Sequence, residues 1–153
     1  MNYISTRGSA PILSFEDTML TGLARDGGLY VPKSIPTMSQ ADIRAMVGLN
    51  YEEIAFRVMR PFVGDSFSEE EFFEIIQRSY AGFNHLARAP LTQLDSNHFL
   101  LELFHGPTLA FKDFAMQLIG QMFQVALRRR DERVTIPLAT NAAGAHSNHM
   151  AIT

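Results

Sequence analysis

The chain has 153 residues, of which 46% are hydrophobic and 12 are phenylalanine, enough apolar matter for one buried core in an ordinary soluble globular class. A net charge of -3 and a pI near 5.9 argue against a nucleic-acid partner, whose footprint would be a basic stripe. The absence of cysteine excludes disulfides, thiolate metal sites and a cysteine nucleophile.

No apolar run approaches bilayer length, and the opening MNYISTRGSAPILSF lacks both the charged start and the continuous apolar core of a signal peptide. The expectation is a cytoplasmic protein with no membrane partner. In chain order, Tyr3 to Thr6 reads as a short strand. RDGGLYVP reads as an Asp-Gly-Gly turn, a strand Leu29 to Val31 and a stop at Pro32. Three capped helix starts follow: Ser39 with Asp42, Asn50 with Glu53, and Ser68 with Glu71, each ahead of an apolar periodic run. Phe72, Ile75, Ile76 and Tyr80 recur at helical spacing, so these helices read as core packing without a convergent polar set.

After Pro90 the period changes. Leu91 to Leu94 and Phe99 to Phe104 are short apolar runs separated by the turn composition DSNH, and both are predicted strands. Thr108 to about Arg130 has helical spacing and ends on Arg128-Arg129-Arg130, which complements the dipole of a helix end. Val134 to Thr140 resembles another strand, although Pro137 lacks the N–H that a central strand needs. Strand, helix and strand at this spacing predict a right-handed crossover and the start of a parallel α/β sheet. The expected organisation is a mostly helical region over 1–90 followed by an incomplete α/β domain over 91–153.

Within LFHGPTLAFKDF one lysine stands among apolar residues. At about 100° per residue, Asp113, Gln117, Gln121, Gln124 and Arg128 share a polar arc, while Lys112 falls on the apolar side near Leu109, Ala115, Met116 and Ile119. Two accounts stand on periodicity alone. The side chain lays its stem on apolar surface and keeps its head in water, or it is desolvated beside a helix N-terminus, where both effects lower its pKa and make it a better nucleophile toward an aldehyde.

The segment Glu102 to Asp113, ELFHGPTLAFKD, closely resembles the lysine-bearing motif of threonine synthases, which are fold-type II pyridoxal-phosphate enzymes with a tryptophan-synthase-β-like fold. YISTRG at Tyr3 to Gly8 and GLARDGGLYVP at Gly22 to Pro32 resemble the N-terminal signature of the same family, and the match runs to about Ile136. The resemblance implies that Lys112 forms the Schiff base with pyridoxal 5'-phosphate and is the catalytic residue. It also implies a reaction, the conversion of O-phospho-L-homoserine and water to L-threonine and phosphate. Gly106 and Pro107 then shape the approach to the helix, Thr108 is its expected N-cap, and Asp113 favours the helix start.

The family's Ser-Gly-Asp-Thr-Gly-like loop for the substrate carboxylate, lined up at Ala139-Thr140, becomes Asn141-Ala142-Ala143-Gly144-Ala145 here. Ser147-Asn148-His149 loosely resembles the Ser-Asn-His loop of other enzymes of this fold, such as the aminocyclopropane-carboxylate deaminase group. The candidate substrate contacts are therefore Thr140, Asn141, Ser147 and Asn148. His146 and His149 lack a third ligand nearby, so no metal site is expected. The family's enzymes run to several hundred residues with a pocket between two α/β domains, so the expectation is roughly an N-terminal third, divergent after Ile136 through a truncated or frame-shifted reading and inactive alone. Two other readings compete with threonine synthase: another lyase or deaminase of the same fold, and a non-catalytic partner-binding module.

Overall fold

In the computed structural model, which describes residues 1–133, the amino-terminal strand β1 (Asn2–Ser5) is the centre of a three-stranded antiparallel sheet. Strand β2 (Leu13–Ser14) pairs one edge, with Tyr3 opposite Leu13, and β3 (Tyr30–Pro32) pairs the other, with Ile4 opposite Val31. Pro32 closes β3 on an edge, where the missing N–H costs no ladder bond.

A single carboxylate ties the two N-terminal segments together. Asp26 accepts from Ser5 Oγ at 2.7 Å, from Ser9 N at 3.0 Å, from Ala10 N at 2.9 Å and from Gly28 N at 3.0 Å. The Ser5 hydroxyl, ahead of these backbone amides, holds this carboxyl below the usual aspartate range. Arg7 Nη1 donates to the Asp26 carbonyl, and a Cβ on Gly28 would stand 2.3 Å from Ser5 Oγ, so only glycine admits the approach. YISTRG and RDGG are thus two halves of one turn-and-sheet knot.

Helix α1 (Phe15–Thr21) begins at Ser14, whose Oγ accepts from Asp17 N at 3.1 Å. It stands where no helix is predicted: seven residues make only two turns, too few for a period to register, although Ser14 and Asp17 carry the capping signal. Helices α2 (Gln40–Arg44) and α3 (Tyr51–Val63) start on full capping boxes at Ser39 and Asn50, as their sequences predict. In α4 (Glu69–Tyr80) three consecutive glutamates occupy the first turn, and Glu71 N donates to Ser68 Oγ at 3.1 Å.

The chain divides into two units, Met1–Glu74 and a second that begins at Ile75, so the division falls within α4. The first unit is organised by a relay of aromatic rings: Tyr3 to Phe15 at 5.9 Å, Phe15 to Phe67 at 6.5 Å, Phe67 to Phe72 at 6.4 Å and Phe72 to Phe56 at 6.0 Å. Phe67 and Phe72 are fully buried. Tyr3 ends the relay with its hydroxyl donated to Phe62 O at 3.0 Å, and burial raises its pKa. Strands β1 and β3 stand where Tyr3–Thr6 and Leu29–Val31 are predicted; β2, of two residues, is too short for alternation to show.

In the second unit, β4 (Leu91–Gln93) and β5 (Phe99–Leu101) form an antiparallel hairpin with Thr92 opposite Leu100. Its turn is set by Asp95, whose Oδ1 accepts from Asn97 N at 2.9 Å and His98 N at 3.0 Å. The Asn97 amide, followed by the His98 ring, holds Asp95 below its ordinary range. Helix α5 (Asp113–Arg130) follows and carries all three arginines in its last turn, as expected. Both sheets among the described residues are antiparallel. The strand expected at 134–140, on which the parallel crossover depends, lies outside the described residues.

Candidate functional site

Two structural supports converge on the segment that carries Lys112, and the first is the β4–β5 hairpin. Glu102 N donates to Pro90 O at 3.0 Å, so the chain leaves the hairpin in a fixed direction. The Glu102 carboxylate then accepts from Thr92 Oγ1 at 3.0 Å and meets His105 Nε2 at 2.7 Å, with both side chains of the latter pair about four-fifths covered. The His105 imidazole, ahead of the Thr92 hydroxyl, holds Glu102 below the ordinary glutamate range. His105 is held again from the other side, since its carbonyl accepts from Asn84 N at 2.9 Å and its ring lies 5.0 Å from that of His85.

The second support is aromatic. Tyr80, Phe83 and Phe114 form a closed trio with centroid separations of 5.3, 6.2 and 4.8 Å, and the Tyr80 hydroxyl donates to Phe114 O at 3.1 Å. Phe114 is the second residue of α5, so the trio fixes the helix at its first turn.

Between these supports the chain makes a turn rather than the first turn of helix. Helical structure begins at Asp113, four residues later than an N-cap at Thr108 requires. The reason is Leu109, which adopts a left-handed φ of 61° that a helix does not allow. Thr108 caps nothing with its side chain; instead its N–H and Oγ1 both donate to Asp113, at 2.8 and 2.7 Å. Asp113, expected on a polar outer arc, is buried, only 4% exposed, because those two donors satisfy it.

Lys112 occupies the residue before the helix, with its backbone already helical at φ -63° and ψ -17°. Its carbonyl accepts from Ala115 N and Met116 N at 3.1 and 2.9 Å. The side chain is exposed, not buried on an apolar arc, since Leu109 and Phe111 beside it are themselves 66% and 63% exposed. Of the two accounts that periodicity leaves open, the exposed side chain agrees with a head kept in water, and the described residues do not supply the desolvation of the other. No hydrogen bond or ion pair ties its ammonium to another described residue. What the arrangement offers chemically is an accessible primary amine, without a partner among the described residues, on a segment pinned at Glu102, His105, Thr108 and Phe114.

Thr140, Asn141, Ser147 and Asn148, and the pair His146 and His149, lie outside the described residues. Among the described residues no cluster of three histidine, aspartate or glutamate side chains could hold a metal, and no helix is long and apolar enough to cross a membrane. Two functional features escape sequence reasoning. The Glu102–His105 pair has a visible signal in its three-residue spacing; the Thr108–Asp113 clasp spans five residues and matches no secondary-structure period.

The fold and the site define a mixed α/β chain in which a small antiparallel sheet and helices precede a hairpin and a lysine-headed helix. The family model for the threonine synthase N terminus matches residues 2–80, and the chain belongs to that family. It is 56% identical over 141 residues to a threonine synthase of Pseudomonas aeruginosa, a match covering 92% of this chain and 30% of that protein. A Schizosaccharomyces pombe threonine synthase is 42% identical, with 86% of this chain and 26% of that protein covered. Among solved structures, threonine synthase from Brucella melitensis with pyridoxal phosphate bound superposes with a TM-score of 0.85 at 50% identity, over 87% of this chain and 29% of that one. The yeast enzyme gives a TM-score of 0.80 at 38% identity, over 85% and 27%. The chain thus spans under a third of the length of these relatives.

Proposed function

We propose that the chain carries the lysine-bearing region of a cytoplasmic threonine synthase, which forms L-threonine and phosphate from O-phospho-L-homoserine and water, with Lys112 as the residue that holds pyridoxal 5'-phosphate. In this reading residues 1–90 are an N-terminal region and 91–153 begin the cofactor-binding α/β domain. The observation that carries it is the placement of Lys112, an exposed amine without a partner among the described residues, at the head of an 18-residue helix. The identity to threonine synthases over nine-tenths of the chain supports it.

The residues present fit a covalently held aldehyde cofactor. An amine must be accessible and unpaired to condense with an aldehyde, and Lys112 is exposed and has no partner among the described residues. When bound, the cofactor supplies an electron sink for carbanions formed on the substrate. Lys112 has two duties here. It would hold the cofactor, and when not so engaged its Nζ would accept a proton from a substrate carbon as base and return one as acid. The turn over Gly106 to Leu109 keeps the lysine backbone fixed through both. Thr140, Asn141, Ser147 and Asn148 are the proposed contacts for the substrate carboxylate.

The test is a chimera in which residues 1–133 replace the matching segment of the Pseudomonas aeruginosa enzyme. The chimera is expected to release threonine from O-phospho-L-homoserine, and Lys112→Ala to lower that rate by at least about a thousandfold with an unchanged circular dichroism spectrum. Undiminished turnover in a well-folded Lys112→Ala chimera would refute the assignment.

A further inference from the structure

Asp113 is a buried carboxylate one residue beyond Lys112, and its partners are unusual for a helix-start acid. A first-turn carboxylate ordinarily reaches back to its own helix amides or to solvent. Here both oxygens turn away from the helix and take the two donors of one residue, Thr108 N–H at 2.8 Å and Thr108 Oγ1 at 2.7 Å. The turn is drawn against the carboxylate closely enough that a Cβ on Gly106 would stand 2.4 Å from Asp113 Oδ2 and 2.5 Å from its Cβ. Leu109 accepts a left-handed backbone to complete the closure, and Leu109 N donates to Gly106 O at 3.1 Å. Asp113 N in turn donates to Ala110 O at 3.0 Å, so the residues on either side of Lys112 are locked to the turn.

From this geometry we infer that Asp113 is the positioning residue for Lys112: through Thr108 it holds the Gly106 to Leu109 turn against the head of α5 and so fixes the direction in which the amine leaves the backbone. The inference rests on the reading of Lys112 as the aldehyde-binding lysine. The clasp has a second consequence. Asp113 is the acid nearest to Lys112 in sequence, and its two oxygens are turned to Thr108, with no ion pair between it and the ammonium. A misplaced or paired amine would react more slowly, since productive attack needs the nucleophile both free and aimed.

The chain contains its own control, because its only lysines are Lys33 and Lys112, both exposed. The intact chain is incubated with pyridoxal phosphate, the adduct formed by loss of water is reduced with borohydride, and peptide mass spectrometry gives the ratio of label at Lys112 to label at Lys33. The wild-type chain is expected to favour Lys112. Asp113→Ala is expected to lower that ratio about tenfold or more with Lys33 labelling unchanged. Asp113→Asn, which keeps an acceptor for Thr108 N–H and lets the threonine hydroxyl reverse its role, is expected to restore most of it. A selective wild type with an equally selective and folded Asp113→Ala overturns the inference and leaves the Lys112 assignment standing. A wild-type ratio near one overturns the assignment itself and the inference with it. Loss of selectivity in Asp113→Asn as deep as in Asp113→Ala shows that the charge acts rather than the clasp, and overturns the positioning role.

Discussion

Tyr80 joins the packing of the second unit to the head of the lysine helix, and its two parts can be removed separately. Tyr80→Phe deletes only the hydroxyl that donates to Phe114 O at 3.1 Å; the ring contacts to Phe83 at 5.3 Å and to Phe114 at 6.2 Å persist. The Phe114 carbonyl lies in α5 and keeps a helical partner, so no buried acceptor is orphaned, and the expected loss is that of one net hydrogen bond, about 1 kcal/mol. Tyr80→Ala removes the ring from a site that is 3% exposed and opens a cavity between Phe83 and Phe114, an expected cost of roughly 3–5 kcal/mol. With a urea m-value of about 2 kcal/mol/M, the midpoint falls by about 0.5 M for the first variant and by about 2 M for the second. Urea titration of the chain followed by circular dichroism reads both. Equal midpoints for the two variants would show that the hydroxyl, not the ring, holds the helix start. A Tyr80→Phe midpoint at the wild-type value would show that the bond to Phe114 contributes nothing; either result refutes the reasoning.

Removal of Phe72, fully buried between Phe56 and Phe67, should cost about 3–5 kcal/mol as Phe72→Ala, a large share of the ~5–15 kcal/mol that holds a domain together. Its half-buried neighbour Phe73 meets Phe56 edge-on at 5.7 Å and should cost no more than about half as much; thermal melts that rank the two the other way would discredit the aromatic relay as the core. The carboxyl of Asp26 titrates below its ordinary value in the fold, so its contribution to stability is present above the unfolded aspartate pKa of about 3.9 and is lost as pH falls through the lower, folded value. Asp26→Asn should therefore flatten the acid limb of a melting-temperature profile between about pH 5 and 2, and an unchanged slope would remove the knot from the account.

How far the fold could be read in advance follows from the range of the forces involved. Capping boxes at Ser39 and Asn50 and the glutamate-rich start of α4 are local, so three residues suffice to announce them and all three helices begin as predicted. The hairpin is announced by its Asp95 turn and its flanking apolar runs, although the strands are shorter than those runs. The three-stranded sheet is different. Two of its strands are predicted, but their pairing is tied by Asp26 reaching Ser5 across 21 positions, a relation with no periodic trace.

The lysine segment shows the opposite failure, a local rule applied where a local exception decides. Extending helical periodicity back to Thr108 places Lys112 on an apolar arc and Asp113 on a polar one, and both placements reverse. One left-handed residue, Leu109, stops the helix from forming over the turn, after which the angular count has no physical axis to refer to. Nothing in the identity of a leucine foretells a positive φ; the conformation is forced by Asp113 taking both donors of Thr108 and by Gly106 yielding the space. The nucleophile candidate therefore survives on its neighbours' identities while the first argument for its reactivity, burial, does not. Its exposure, without a partner among the described residues, takes the place of burial.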